Sequence, residues 1–240
     1  MSALAWHSAA AGQPRPGRAA SEDSHIAAPA AGLWAVADGM GGHGEGGRAS
    51  GLLVEALRAA LLPDAALGAR MAAAEAAIAQ ADAHLAGWAG TTRPPGSTVS
   101  VLLLGEGHAA CLWVGDSRIY LRRDGALLQL TRDHSLAQEM VDRGLIASAE
   151  MAAPAERRSL TRAVGGGGRL AIDRLVLPIQ AGDRLLLCTD GVSMVVPQMR
   201  IVEALENSPE QAAWALIGLA AALGSGDDMT ALVVAIDAAR

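Results

Sequence analysis

The stretch VSVLLLGEGHAACLWVGDSRIYLRRDGALLQL, residues 99–130, decides the fold. It holds four short apolar runs, VSVLLL, AACLWV, RIYLRR and ALLQL, separated by GEGH, GDS and DG. Runs this short and this rich in Val, Ile and Leu read as strands, and Asp-Gly between two apolar segments is a strong hairpin signal. Connections of two to four residues leave no room for a crossover helix, so neighbouring strands run antiparallel. Upstream, LWAVA (33–37) is a buried strand running into a turn at Asp38 and a glycine cluster. Between them, Ala49, Leu52, Leu53, Ala56 and Leu57 repeat at helical spacing over about 46–62. A second, Ala-rich helix spans about 64–88, with Leu67, Met71, Ala74 and Ile78 on one stripe. Downstream, residues 134–165 are polar and mixed and read as an inserted flap. Strands return at DRLVLPI and DRLLLCTD, helices follow near 197–206 and 209–223, and TALVVAID closes the chain. Helices flanking a block of hairpins make an α+β pattern and not a βαβ alternation.

The 240 residues fit one large domain, and the half that are apolar supply a substantial core. That core is built from Leu, Val, Ile and Ala, since there is no Phe. A net charge of −6 with no basic stripe argues against nucleic acid as a partner. Cys111 and Cys188 sit in apolar runs and form neither a disulfide framework nor a CxxC zinc pair. The N-terminus lacks the basic start and apolar stretch of a signal peptide, and no apolar run reaches the length of a membrane span. The expectation is a cytoplasmic protein without a membrane partner.

The chemistry is carried by aspartates at strand ends. Asp38 ends LWAVA, Asp116 follows WVG, Asp190 ends RLLLCT, and Asp227 and Asp228 precede the last strand. Singly, each is an ordinary turn residue. Converging in one cleft, they repel one another and resist desolvation. Divalent cations resolve the conflict, because hard oxygen ligands suit magnesium or manganese. Gly39, Gly41 and Gly44 also satisfy GxGxxG, the dinucleotide fingerprint. Asp38 at the pyrophosphate position and the absence of a second parallel strand weigh against that reading.

Seven motifs stand in one order: ADGMGGHGEGGRAS (37–50), GST (96–98), WVGDSRIYLRRDG (113–125), LTRDHSLAQEMVDRGLI (130–146), LTRAVGG (160–166), LLLCTDGVS (185–193) and GDDMTALVV (226–234). Together they closely resemble the bacterial branch of the metal-dependent protein phosphatases of the 2C type, from about Arg18 to Val234. The resemblance implies a four-layer α-β-β-α sandwich of two antiparallel sheets flanked by helices. A small flap subdomain at about 134–165 would complete a single catalytic domain over 1–240. It implies a centre of two Mn²⁺ or Mg²⁺ ions: Asp38 bridging both, the Gly39 carbonyl on one, Asp190 and Asp227 completing the pair. Asp116 would serve, with Asp190, a third and weaker site. Arg18 stands where the family keeps its phosphate-binding arginine, and Glu22 and Asp23 would hold metal-bound waters. Such a pair of cations lowers the pKa of a water and clamps it in line with phosphorus, while arginine binds two phosphate oxygens at once.

The chain departs from the family pattern in several places. Ser21 replaces an Asn, and Asp228 replaces the Asn of the last motif; the further carboxylate would sit behind the ligands or alter metal affinity. Met40 follows Asp-Gly, where animal members carry a proton-donating His. His43 is the nearest substitute and is read as supporting the site, with metal-bound water as proton donor. MAAPAERRSLTR (151–162) stands in place of the family's His-Pro-x-Arg-Asn stretch. His134 is read as a turn cap, and Arg157, Arg158 and Arg162 as a basic group on the flap. The implied activity is serine/threonine protein phosphatase. Its partners would be phosphorylated proteins, the products of a serine/threonine kinase, and the enzyme would act as a monomer. A phosphatase of sigma-factor antagonists shares the chemistry. The alternative from another class is a pseudophosphatase that binds phosphoproteins without hydrolysis, and retention of Asp38, Asp190 and Asp227 argues against it.

Overall fold

The computed structural model describes residues 4–41, 44–88 and 95–239. Its strands are β1 (Leu4–Gln13), β2 (Asp23–Ala28), β3 (Leu33–Met40), β4 (Gly96–Ser97), β5 (Val99–Gly105), β6 (His108–Val114), β7 (Arg118–Arg123), β8 (Ala126–Gln129), β9 (Asp173–Pro178), β10 (Arg184–Cys188) and β11 (Met229–Ala238). The helices are α1 (Glu45–Ala59), α2 (Leu67–Ala86), α3 (Leu136–Asp142), α4 (Pro154–Arg157), α5 (Asp190–Ser193), α6 (Gln198–Ala204) and α7 (Pro209–Ala222). One sheet has the order β1-β11-β10-β7-β8 and the other β2-β3-β5-β6-β9, with β4 on β3. Every pairing is antiparallel.

Alternation along the strands builds three apolar seams. Trp34, Val36, Leu102, Leu104, Leu187 and Leu232 point between the sheets. Ala35, Ala37, Val101 and Leu103 point the other way, onto Leu53 and Leu57 of α1 and Ile78 of α2. On the far side, Leu186, Cys188 and Val233 meet Ile201 of α6 and Leu216 and Ile217 of α7. The result is the α-β-β-α sandwich. Strands buried on both faces read as unbroken apolar runs, which is why 99–104 shows no polar alternation. Both hairpin turns of the opening stretch are of the primed kind, with positive φ at Glu106 (55°) and Gly107 (73°) and at Asp124 (52°) and Gly125 (78°).

Three features differ from the sequence reading. β1 and β2 are not among the strands read from the sequence. LAWHSAAAGQ has weak strand propensity, yet it pairs with β11 from Leu4↔Ala238 to Gln13↔Met229, so tertiary pairing overrides local preference. β3 runs on through Asp38 to Met40 because β4 pairs with Gly39 and Met40. Arg70, in the helix read as an Ala-rich stripe, is buried and donates to the carbonyls of Ala31, Gly32 and Leu104. Residues 134–165 lie between β8 and β9, carry α3 and α4, and close on themselves through a Ser135↔Leu160 bridge. Among the described residues, no helix is long and apolar enough to cross a membrane.

Leu187 lies wholly between the sheets, so Leu187→Ala should cost about 2–5 kcal/mol in urea unfolding. A loss below about 1 kcal/mol would show that the inter-sheet seam is not the main core.

Candidate metal centre

The aspartates read at strand ends come together at one end of the sandwich. Asp23 opens β2 directly opposite Asp38 on β3. Asp190 follows β10 as the first residue of α5, Asp227 and Asp228 precede β11, and Asp116 lies in the β6–β7 turn. Asp23 also ties the two sheets: its Oδ2 accepts hydrogen bonds from the hydroxyls of Thr189 and Thr230, both at 2.8 Å. The glycines after Asp38 and Asp190 are needed for close backbone approach. A Cβ on Gly39 would stand 2.0 Å from the Gly46 carbonyl oxygen, and one on Gly191 would stand 2.0 Å from that of Asp228.

Hydroxyls and an imidazole fix the rest. The amide of Asp38 donates to Thr98 Oγ1 at 3.0 Å, and that oxygen is 2.6 Å from Ser117 Oγ. Gly115 N–H, next to Asp116, donates to His134 Nδ1 at 3.1 Å, and His134 stacks on Trp113. Its Nε2 faces Asp173 at 3.1 Å. His134 is therefore a staple between the GDS turn and the 134–165 segment, close to the capping role its position implied. Arg162 is spent on Asp173 at 2.9 Å, whereas the charge of Arg158 is felt at Asp190. His43 lies outside the described residues.

Electrostatics mark the cluster as frustrated. Asp38 opens on the cleft but lies deep among protein atoms. Burial, then the charges of Asp23, Asp190, Asp116 and Asp227, push its carboxyl well above the usual range. Burial raises Asp116 to about 8, with Asp190 and Asp133 adding to it. Burial likewise raises Asp23 to about 7 and Asp190 to about 6, with Asp227 reinforcing the latter. Among the described residues, three buried oxygens, Glu22 Oε1, Asp23 Oδ1 and Asp190 Oδ1, have no hydrogen-bond partner. Orphaned carboxylate oxygens beside mutually repelling neighbours are the donor set that a hard cation satisfies. Among the described residues, no three His, Cys, Asp or Glu side chains already converge on one ion. Magnesium and manganese sites that keep several waters need only one or two carboxylates per ion, so the residues present fit such ions.

A second arginine, which the sequence reading did not single out, stands beside Arg18. Arg18 is half exposed, with Nη2 3.6 Å from Glu22 Oε2. Arg15 reaches further in: Nη2 is 3.2 Å from Glu22 Oε2 and Nη1 3.5 Å from Asp227 Oδ1. Asp228 is buried and accepts the amides of Arg15 (2.7 Å) and Glu22 (2.6 Å), so it faces the N-terminal segment. The signal available in the sequence was Arg-Pro-Gly-Arg (15–18), a turn with an arginine at each end.

These raised carboxyls make stability depend on pH in a set direction. Between the ordinary value of 3.8 and the raised values of about 6 to about 8, the folded protein binds more protons than the unfolded chain. Without cations its stability must therefore fall as pH rises through that window. In chelator, the Tm should drop from about pH 5 to about pH 8, and Mn²⁺ should oppose the drop because it binds deprotonated carboxylates. A Tm in chelator that climbs over this range would contradict the clustering.

The family model described as Protein phosphatase 2C matches residues 17–225. The chain is 38% identical over 223 residues to the serine/threonine protein phosphatase PstP of Mycobacterium tuberculosis, covering 90% of this chain but 42% of that protein. It thus spans less than half the length of that relative. Among solved structures, PppA, a regulatory component of the T6SS in Pseudomonas aeruginosa, is similar at 36% identity and a TM-score of 0.87, over 97% of this chain and 98% of that one. The catalytic domain of PstP in complex with two manganese ions is similar at 34% identity and a TM-score of 0.84, over 98% of this chain and all of that one. With the family model matched across most of its length, the chain belongs to the protein phosphatase 2C family.

Proposed function

We propose that this protein is a Mn²⁺- or Mg²⁺-dependent phosphatase that hydrolyses phosphoserine and phosphothreonine on other proteins. The observation that carries the reading is the meeting of Asp23, Asp38, Asp116 and Asp190 in one cleft, where burial and mutual repulsion disfavour their charges unless cations neutralise them. Asp38, Asp190 and Asp227, with the Gly39 carbonyl, would hold two cations, a number in keeping with the solved relative in complex with two manganese ions. Asp116 and Asp190 would hold a third, more weakly. When bound, the ions activate a water for attack on phosphorus and neutralise the phosphoryl oxygens.

The chain's own groups do the rest. Arg18 binds the substrate's phosphate with its planar fork and keeps it oriented. Asp23, held by two threonine hydroxyls, and Glu22 position water at the cleft through their free oxygens. Asp228 supports the segment that carries Arg18 and Glu22, and His43, close to Asp38 along the chain, is assigned a supporting role. Residues 134–165 act as a flap within one catalytic domain, and Arg158, whose field reaches Asp190, draws the anionic substrate toward the cleft. Substrates are proteins phosphorylated by a serine/threonine kinase. The enzyme works as a monomer in the cytoplasm, a reducing setting that suits two free, buried cysteines.

Hydrolysis of p-nitrophenyl phosphate or a phosphopeptide should require Mn²⁺ or Mg²⁺ and vanish in chelator. Asp190→Asn removes a charged oxygen ligand and should lower kcat at least ~100-fold. Turnover without metal, or full activity in the variant, would defeat the assignment.

A further inference from the structure

Residues 15–22 form a built feature. Arg15-Pro16-Gly17-Arg18 is a β-turn, with Gly17 at φ +83° and the Arg18 amide donating to the Arg15 carbonyl at 3.1 Å. Proline second and a positive-φ glycine third are the marks of a type II turn. Such a turn sets its first and fourth residues side by side, and here both are arginines. Their guanidinium groups meet at one acceptor, Glu22 Oε2, at 3.2 Å from Arg15 and 3.6 Å from Arg18. Arg15 also reaches Asp227 at 3.5 Å.

Asp228 locks this turn in place. Its two oxygens accept the amides of Arg15 and Glu22, at 2.7 and 2.6 Å, so one carboxylate grips the segment at both ends. Each oxygen takes one amide, a division that a carboxylate allows. An asparagine offers one oxygen and would turn its own N–H donors toward the second amide. The departure of this chain from the Asn of the family pattern thus has a structural counterpart in the turn that Asp228 holds.

We propose that the Arg15–Arg18 turn is a two-guanidinium clasp for the phosphate of the substrate, with Arg15 as its second arm and Asp228 as the positioning residue that sets it. The inference rests on the phosphatase reading and deepens it. A phosphate monoester dianion presents three peripheral oxygens. One arginine fork engages two of them, and a second fork beside it engages the third. Cations held by Asp227 and its neighbours would offset the carboxylate charge that Arg15 now faces, leaving its guanidinium free to turn to the phosphate.

The test uses Mn²⁺-saturated wild type, Arg15→Gln and Asp228→Asn. KM for a phosphopeptide and Ki for inorganic phosphate should both rise about tenfold in each variant, the scale of a lost charge-assisted hydrogen bond, with kcat falling by less. Amide hydrogen exchange in chelator reads the grip without catalysis: Arg15 and Glu22 N–H should be protected in wild type and exchange faster in Asp228→Asn. Failure of the phosphatase reading would show instead as inactive wild type. An unchanged Ki in Arg15→Gln, or a loss of Mn²⁺ affinity with Ki unchanged, would overturn the clasp. So would continued protection of the two amides in Asp228→Asn.

Discussion

Asp23, Asp38, Asp116 and Asp190 stand within each other's fields at one end of two stacked sheets, and folding must hold them there against repulsion and desolvation. That conflict organises the molecule around it. The inter-sheet seam of Trp34, Leu102, Leu187 and Leu232 supplies the rigid base from which the strand ends project. Gly39 and Gly191 let backbones approach closely enough for the carboxylates to share one cleft. Thr189 and Thr230 bind Asp23 across the two sheets, so one of the acidic residues in the conflict also ties the sandwich together at that end.

The walls of the cleft come from segments with little strand or helix character. Asp228 draws residues 15–22 in from the N-terminal side through two backbone amides. Elsewhere His134 links the GDS turn to Asp173 and Arg162, which join the 134–165 segment to β9. In both walls a buried polar group with satisfied hydrogen bonds does what apolar packing does in the core. Geometry therefore depends on particular residue types there, whereas the seams tolerate exchange among Leu, Ile and Val.

Much of this was legible before any coordinates. The hairpins of 99–130 were readable because primed turns demand Asp-Gly or its like. The apolar runs were readable because both faces of each strand are buried. Aspartates at strand ends stood out because carboxylates beside such runs are costly without a partner. β1 escaped notice because its small and polar residues carry no signal of their own and only β11 makes them a strand. Arg70 escaped because a lone cation in an Ala-rich helix reads as solvated, and only the carbonyls of Ala31, Gly32 and Leu104 show otherwise.

By itself the sequence determined most element types, β1 and β2 excepted, the antiparallel hairpins, the family and the acidic residues that belong together. These follow from local periodicity, turn chemistry and motif order, each carried by neighbours along the chain. Tertiary structure alone decided that Arg15 lies deeper than Arg18, that Asp228 grips a segment more than two hundred positions away, and how far each carboxyl is displaced. Those outcomes depend on contacts between distant residues and on the field of the whole cluster, which no short window of sequence contains.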